Sequence, residues 1–537
     1  MKTQSILKRM SRRNFMGALG AGAVAAGCAT DVLPPVIPPD GGQPTGPTNP
    51  GGGGGVEPIA PVEPTEPTQP VEPTEPGLPA GFKALFLNRT SFGATEPEQA
   101  RYDEIGYEAY LEEQLNPGLI QENDSEINAL LSPLWTLTAT PTELLQTNFS
   151  QAWNNVLAHL AKARLIRAVK SRRQLQERMV DFWLDHFNIQ AAKTPFVRYQ
   201  AIQYERDVIR PFVFGKFRDL LHAVAKSPAM MVYLDNSSSS WNALNENYAR
   251  ELLELHTVGL NQGYALQDIV DVARAFTGWR SVSNATNEPP DGMFQLGFVS
   301  SLHDPNSKLV MGMPIPSGGG IEDGEAVLDH LAGHPNTANH IARRLLTYFV
   351  TDNPSTSMVS AVAEVFYESD GDIQETMRAV LSVENLQQAT PQLKRPLHYV
   401  AGILRQTSAT MDSNAAIDRV LDDMGHYPYD WITPDGYPLD NTYWAGGMLD
   451  RWNFAYKLVK GELAGFNLPL SATLAPGVTT DPGQVVDYWN ERYLMGRMSS
   501  SERTALINYS NNVRNGSASG DAELFGMMLT APSYQTV

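Results

Sequence analysis

The chain has 537 residues, 42% hydrophobic and 18% charged, a globular balance that excludes wholesale disorder and a fibrous repeat. Its 59 Asp and Glu outnumber 40 Lys and Arg, and a net charge of −19 leaves no basic face for nucleic acid, so no nucleic-acid partner is expected. The single cysteine, Cys28, excludes an intramolecular disulfide framework, and no run of 18 strongly apolar residues marks a polytopic membrane protein.

Residues 1–27 read as an export signal. Lys2, Lys8 and Arg9 precede Ser11-Arg12-Arg13-Asn14-Phe15-Met16, which resembles the twin-arginine motif. A short, weakly apolar run then ends in Ala25-Ala26-Gly27-Cys28, which resembles a lipoprotein cleavage box with Cys28 as the lipidated residue. These features predict an exported protein, periplasmic or cell-surface, held to a membrane through Cys28. Residues 28–80 read as a disordered tether. Within 31–80 lie 15 of the 38 prolines and 9 glycines, so extended polyproline segments alternate with flexible joints.

Residues 81–537 read as the body, mainly α, a multi-helix globular unit with long irregular loops. Helical periodicity covers 97–115, 150–190, 204–224, 245–258, 266–277, 323–331 and 337–350. Further helices are predicted near 360–367, 373–383, 397–406, 415–424, 448–459 and 482–495. Two insertions, 280–320 and 425–444, are rich in Gly, Pro, Asp and aromatic residues, and loops of that length are often functional.

Several strings then become specific. Glu177-Arg178-Met179 with Phe182-Trp183 and His186-Phe187, Tyr204-Glu205-Arg206-Asp207, and Asn245-Glu246-Asn247-Tyr248-Ala249-Arg250-Glu251 through Glu254 and His256 stand out. Ala275-Phe276-Thr277-Gly278-Trp279, His303-Asp304 and Lys394-Arg395-Pro396 extend the set. Together they resemble the bacterial family of domain of unknown function 1800, from about Phe82 to the C-terminus. The resemblance implies an exported, largely helical protein and no established activity. It also implies a sulfatase-like envelope partner, because members are often encoded beside such a family. Leu184 and His426 depart from the pattern, where His and Gln are expected.

On a helix from Asn245, residues Asn247, Arg250, Glu251 and Glu254 share one polar stripe, opposite Tyr248, Leu252 and Leu255. Glu251 and Glu254 lie one turn apart, so they can share a proton or a cation. Glu177, Asp181, Asp185 and Asn188 line one side of the preceding helix, with His186 on the apolar side. His303 and Asp304 sit adjacent in the first insertion, a pairing suited to acid–base work or ligation. His330 and His334 are spaced for one helix face, but Gly333 and Pro335 predict a helix end there. Glu368 to Asp372 imitates a calcium loop and reads better as the entry to the next helix. No phosphate-binding loop, dinucleotide fingerprint or serine elbow occurs.

Two readings follow. In the first, a hydrolase-like enzyme acts on an extracytoplasmic polymer. Glu251, Glu254, His303 and Asp304 form its catalytic set, Asn247 and Arg250 bind substrate, and His186 and His256 are candidate ligands of a divalent metal. In the second, the charged strings lock helices together in a non-catalytic scaffold for a partner enzyme. The export signal is tested directly: replacing Arg12 and Arg13 together by Lys should hold the precursor in the cytoplasm on fractionation, and Cys28→Ser should abolish lipid labelling. Unchanged export of the double variant contradicts the twin-arginine reading.

Overall fold

The computed structural model describes residues 78–281, 296–412, 415–473, 481–513 and 518–537. Residues 1–27, read above as an export signal, and nearly all of the expected tether lie outside them. The fold opens with α1 (Phe82–Thr90) and α2 (Glu96–Leu115), and the Thr95 backbone N–H donates to Glu98 at 2.8 Å to start α2. The predicted helix over 150–190 is two helices, α3 (Phe149–Lys170) and α4 (Gln174–His186). Between them the Ser171 hydroxyl accepts the Arg173 N–H at 3.0 Å and turns the chain.

Proline at the first turn starts α5 (Pro195–Gln203) and α7 (Pro228–Tyr233), two short helices that periodicity did not reveal. The expected helix over 204–224 is also broken. A π-helical turn at Tyr204–Ile209 and a 3-10 turn containing Pro211 precede α6 (Phe217–Lys226). Next come α8 (Asn247–Glu251), α9 (Leu266–Ala275), α10 (Glu322–Ala332), α11 (Pro335–Phe349), α12 (Thr356–Glu368) and α13 (Ile373–Val380). The C-terminal part holds α14 (Pro396–Gln406), α15 (Ile417–Asp423), α16 (Met448–Val459), α17 (Pro482–Leu494), α18 (Ser500–Val513) and α19 (Ala518–Thr530).

Among the described residues, named strands form only two-stranded antiparallel ribbons. Two of these, β1 (Trp279–Ser281) with β2 (Leu296–Phe298) and β3 (Lys308–Val310) with β4 (Met313–Ile315), build the first insertion. The fold is thus mainly α, as the periodicity implied. No described helix is long and apolar enough to cross a membrane.

Helix α3 spans two hydrophobic clusters. Val156, Leu157 and Leu160 join the cluster built on α1, α2, α4 and α11, while Leu165 and Ile166 join the one built on α14, α16, α17 and α19. Helix α4 lies against α3, and every residue of it except Gln176 is buried. Its apolar side, Leu175, Met179, Phe182 and Trp183, packs in the first cluster. Its acidic side is buried as well, and each carboxylate meets arginine.

Asp181 pairs with Arg164 of α3 and with Arg395 at 3.3 Å, and it accepts the Tyr348 hydroxyl at 2.8 Å. Asp185 lies 2.5 Å from Arg395. Arg210 grips Glu177 through both guanidinium nitrogens at 2.9 Å and reaches Glu205 at 2.9 Å. Tyr429 donates to Glu205 at 2.6 Å. Burial alone would raise the pKa of Glu205, yet Arg210, Arg167 and Arg164 hold it at about 2. Losing one partner strands a buried charge, which costs about 3–5 kcal/mol. Asp181→Asn should therefore lower the unfolding free energy of the body by that amount, read from the shift of its urea midpoint; an unchanged midpoint contradicts the ladder's role.

Candidate functional site

The stripe carrying Glu251 begins in α8 and continues through a π-helical turn, Leu252–His256. The wider turn leaves one carbonyl off the ladder, and the Thr257 hydroxyl donates to the Leu252 carbonyl at 2.6 Å. Leu252, Leu253 and His256 point inward and are buried. Glu251 and Glu254 remain half-buried, and Asn247 is exposed. Arg250 spans Glu246 and Glu254, each at 3.4 Å, so this arginine is spent within its own stripe. The Asn247 side chain donates to the Leu234 carbonyl at 3.3 Å, tying α8 to the end of α7.

Glu251 has no ion-pair partner of its own among the described residues. Burial raises its pKa from the ordinary 4.5 to about 7, helped by the charges of Glu254 and Asp435 and opposed by Arg250. Asp435 comes from the second insertion. That segment is held across the end of α4: Asn188 donates to the carbonyls of Trp431 at 3.2 Å and Thr433 at 2.8 Å, and Tyr233 of α7 donates to that of Ile432 at 3.0 Å. Gly436, at φ 74°, permits this approach, because a Cβ there would sit 2.0 Å from the Asp185 carbonyl oxygen. Trp431 donates to Asp435 at 3.0 Å and packs on Tyr437 and Tyr443. The aromatic residues of this insertion thus pack on one another, whereas Trp279 is a core residue against Phe276.

The first insertion behaves differently, and here the expectation for His303 and Asp304 is corrected. His303 is buried between the Thr277 carbonyl at 2.8 Å and the Asp323 carboxylate at 3.2 Å, and Lys308 also meets Asp323 at 2.6 Å. Asp304 takes the Arg274 guanidinium at 2.7 Å. These pairs clamp the ribbons to α9 and α10, which commits both side chains to internal contacts. A buried histidine hydrogen-bonded on both ring nitrogens at the root of a ribbon is fixed by its partners.

His186 and His256 do come together, 6.4 Å between ring centroids, and His340 of α11 lies 5.9 Å from His186. His186 Nε2 bonds the His256 carbonyl at 3.2 Å, and His340 Nε2 bonds the Leu255 carbonyl at 2.9 Å. Burial drives the pKa of all three below the ordinary value, to about 3 for His256, with Arg344 adding to the effect. Neutral imidazoles thus form a layer under the π turn, beside the half-buried Arg344. Among the described residues no group of three or more His, Cys, Asp or Glu is arranged to hold a metal ion, so the pair does not extend to a ligand set with the carboxylates.

His340, Arg344 and Asp435 escaped the reading of the sequence. His340 and Arg344, four apart on an otherwise apolar face of α11, carried a detectable signal. Asp435 carried none, since only folding brings it near Glu251. The other sequence readings resolve simply: Asp372 caps α13, accepting the Glu375 N–H at 3.0 Å, and His334 caps α11 through the Asn336 N–H at 3.1 Å.

A carboxyl whose folded pKa lies above its unfolded value takes up protons on folding, so its stabilising effect fades as pH rises from about 4.5 to 7. Glu251→Gln removes that penalty. Wild type and variant should melt alike near pH 4, and the variant should melt higher at pH 8; parallel melting curves across this range contradict the raised pKa.

No curated protein and no solved structure matches the chain. Residues 85–536 match the family described as Protein of unknown function (DUF1800), and over that span the chain belongs to it.

Proposed function

We propose that the chain is an exported envelope protein, lipid-anchored at Cys28, whose body acts as an acid–base hydrolase on an extracytoplasmic polymer. The observation that carries this reading is the Glu251 carboxyl, held near neutrality beside Glu254 and Asp435. A group that titrates at about pH 7 is matched to giving a proton to a leaving oxygen and taking one from water. The neighbouring carboxylates supply negative charge for a cationic transition state, while Trp431 and Tyr443 offer partly exposed rings beside Asp435 for stacking on a sugar. Asn247, exposed at the start of the stripe, is the adjacent polar contact for substrate.

The second reading is a scaffold for a sulfatase-like partner. It is favoured by one observation: most acidic residues of the family strings, Glu177, Glu205 and Asp304 among them, are consumed in internal pairs, as is the neighbouring Asp181. Glu251 separates the two readings. In a hydrolase, Glu251→Gln should reduce release of reducing ends from envelope polysaccharide by about 100-fold or more without lowering the melting temperature. A wild-type protein inert on a panel of envelope polymers supports the scaffold, and a fully active variant removes Glu251 from the catalytic set.

A further inference from the structure

Helix α16 turns an apolar stripe toward solvent. Its inward side, Phe454, Ala455, Leu458 and Val459, is buried in the cluster built on α14, α16, α17 and α19. On the other side Leu449, Trp452 and Tyr456, spaced three and four apart, are 65%, 49% and 51% exposed. Single exposed apolar residues are ordinary, but three in one stripe mark a contact surface. Trp452 takes part in no ring pairing, cation–π contact or side-chain hydrogen bond among the described residues, so its ring and indole N–H are uncommitted. The Tyr456 ring is steadied by the Lys460 ammonium, 5.7 Å from its centroid, which is itself paired with Glu523 at 2.5 Å.

The stripe is continuous with the carboxyl site. A short helix, Asn441–Trp444, a 3-10 turn, Ala445–Gly447, and α16 follow one another without a gap. The first of them carries Tyr443, whose ring packs on Trp431 at 5.6 Å, and Trp431 in turn donates to Asp435. Every exposed residue from Tyr443 to Tyr456 is uncharged, in a chain whose net charge is −19. An amphipathic membrane contact would carry a basic flank, and the exposed cation of α16 is Lys457 alone. Three side chains fall short of the roughly 800 Å² per partner that a stable dimer buries. Half-exposed rings about one helical turn apart, with the amide of Asn453 among them, instead match an uncharged glycan, whose sugar rings stack through C–H faces and bond through hydroxyls. We propose that the strip from Tyr443 to Tyr456 is a binding platform for an uncharged glycan chain, which it leads toward Glu251. The destination rests on the hydrolase reading, whereas glycan binding is measurable without it.

The test uses the full-length chain bearing Cys28→Ser and Glu251→Gln, which removes lipid and turnover together. In native gels containing hydroxyethylcellulose, glycol chitin or laminarin it should be retarded by at least one of the three. Adding Trp452→Ala should weaken that affinity about tenfold or more, at an unchanged melting temperature because the side chain is half-exposed. No retardation by any of the three glycans, or retardation that Trp452→Ala leaves intact, overturns the proposal. So does Trp452-dependent binding to phosphatidylcholine vesicles, or Trp452-dependent dimerisation, without glycan binding. A protein with Glu251 restored that binds glycan through Trp452 yet releases no reducing ends supports the platform and defeats the hydrolase reading alone.

Discussion

The fold depends on burying the acidic side of α4 without leaving a bare charge. Glu177, Asp181 and Asp185 come from one helix, but their counter-ions come from α3, the 3-10 turn after Tyr204–Ile209, and the residue just before α14. An unpaired carboxylate in that environment carries a desolvation penalty of several kcal/mol, so the elements bearing Arg164, Arg210 and Arg395 have little freedom in where they sit. The ladder joins distant parts of the chain: Asp181 and Arg395 are 214 positions apart. Apolar packing on the opposite side of α4 supplies area, while the ion pairs supply register.

The two insertions meet this frame in opposite ways. The first is anchored by His303, Asp304, Asp323 and Lys308, all buried, so these residues are committed to holding its ribbons. Residues 431–433 of the second are anchored by backbone carbonyls accepting from Asn188 and Tyr233. That mode of attachment leaves the Asp435 side chain exposed and near Glu251. A loop held by its backbone keeps its side chains for other work.

Beneath Glu251 the π turn reconciles two demands on one short segment. It keeps His256 in the interior, against Phe187 and near His186, while Glu254 stays half-buried. The layer below is uncharged imidazole beside a half-buried arginine, which gives Glu251 no direct counter-ion. The contrast with Asp181 is one of partners rather than of residue type. Two arginines outweigh burial at Asp181 and hold its pKa well down, whereas burial, Glu254 and Asp435 raise that of Glu251.

The sequence by itself determined the mainly α class, most of the long helices, the Pro- and Gly-rich composition ahead of the body, and the strings that carry the family resemblance. These are local properties: periodicity, capping residues and composition act over a few turns of chain. It also placed Glu177, Asp181 and Asp185 on one stripe and Glu251 and Glu254 on another, and a helical wheel treats both stripes alike. Only the tertiary structure decided that the first stripe is a buried lock and the second a half-buried carboxylate pair. That difference rests on Arg164, Arg210 and Arg395 closing on one helix and Asp435 approaching the other, contacts between segments whose separation along the chain leaves no trace in local pattern.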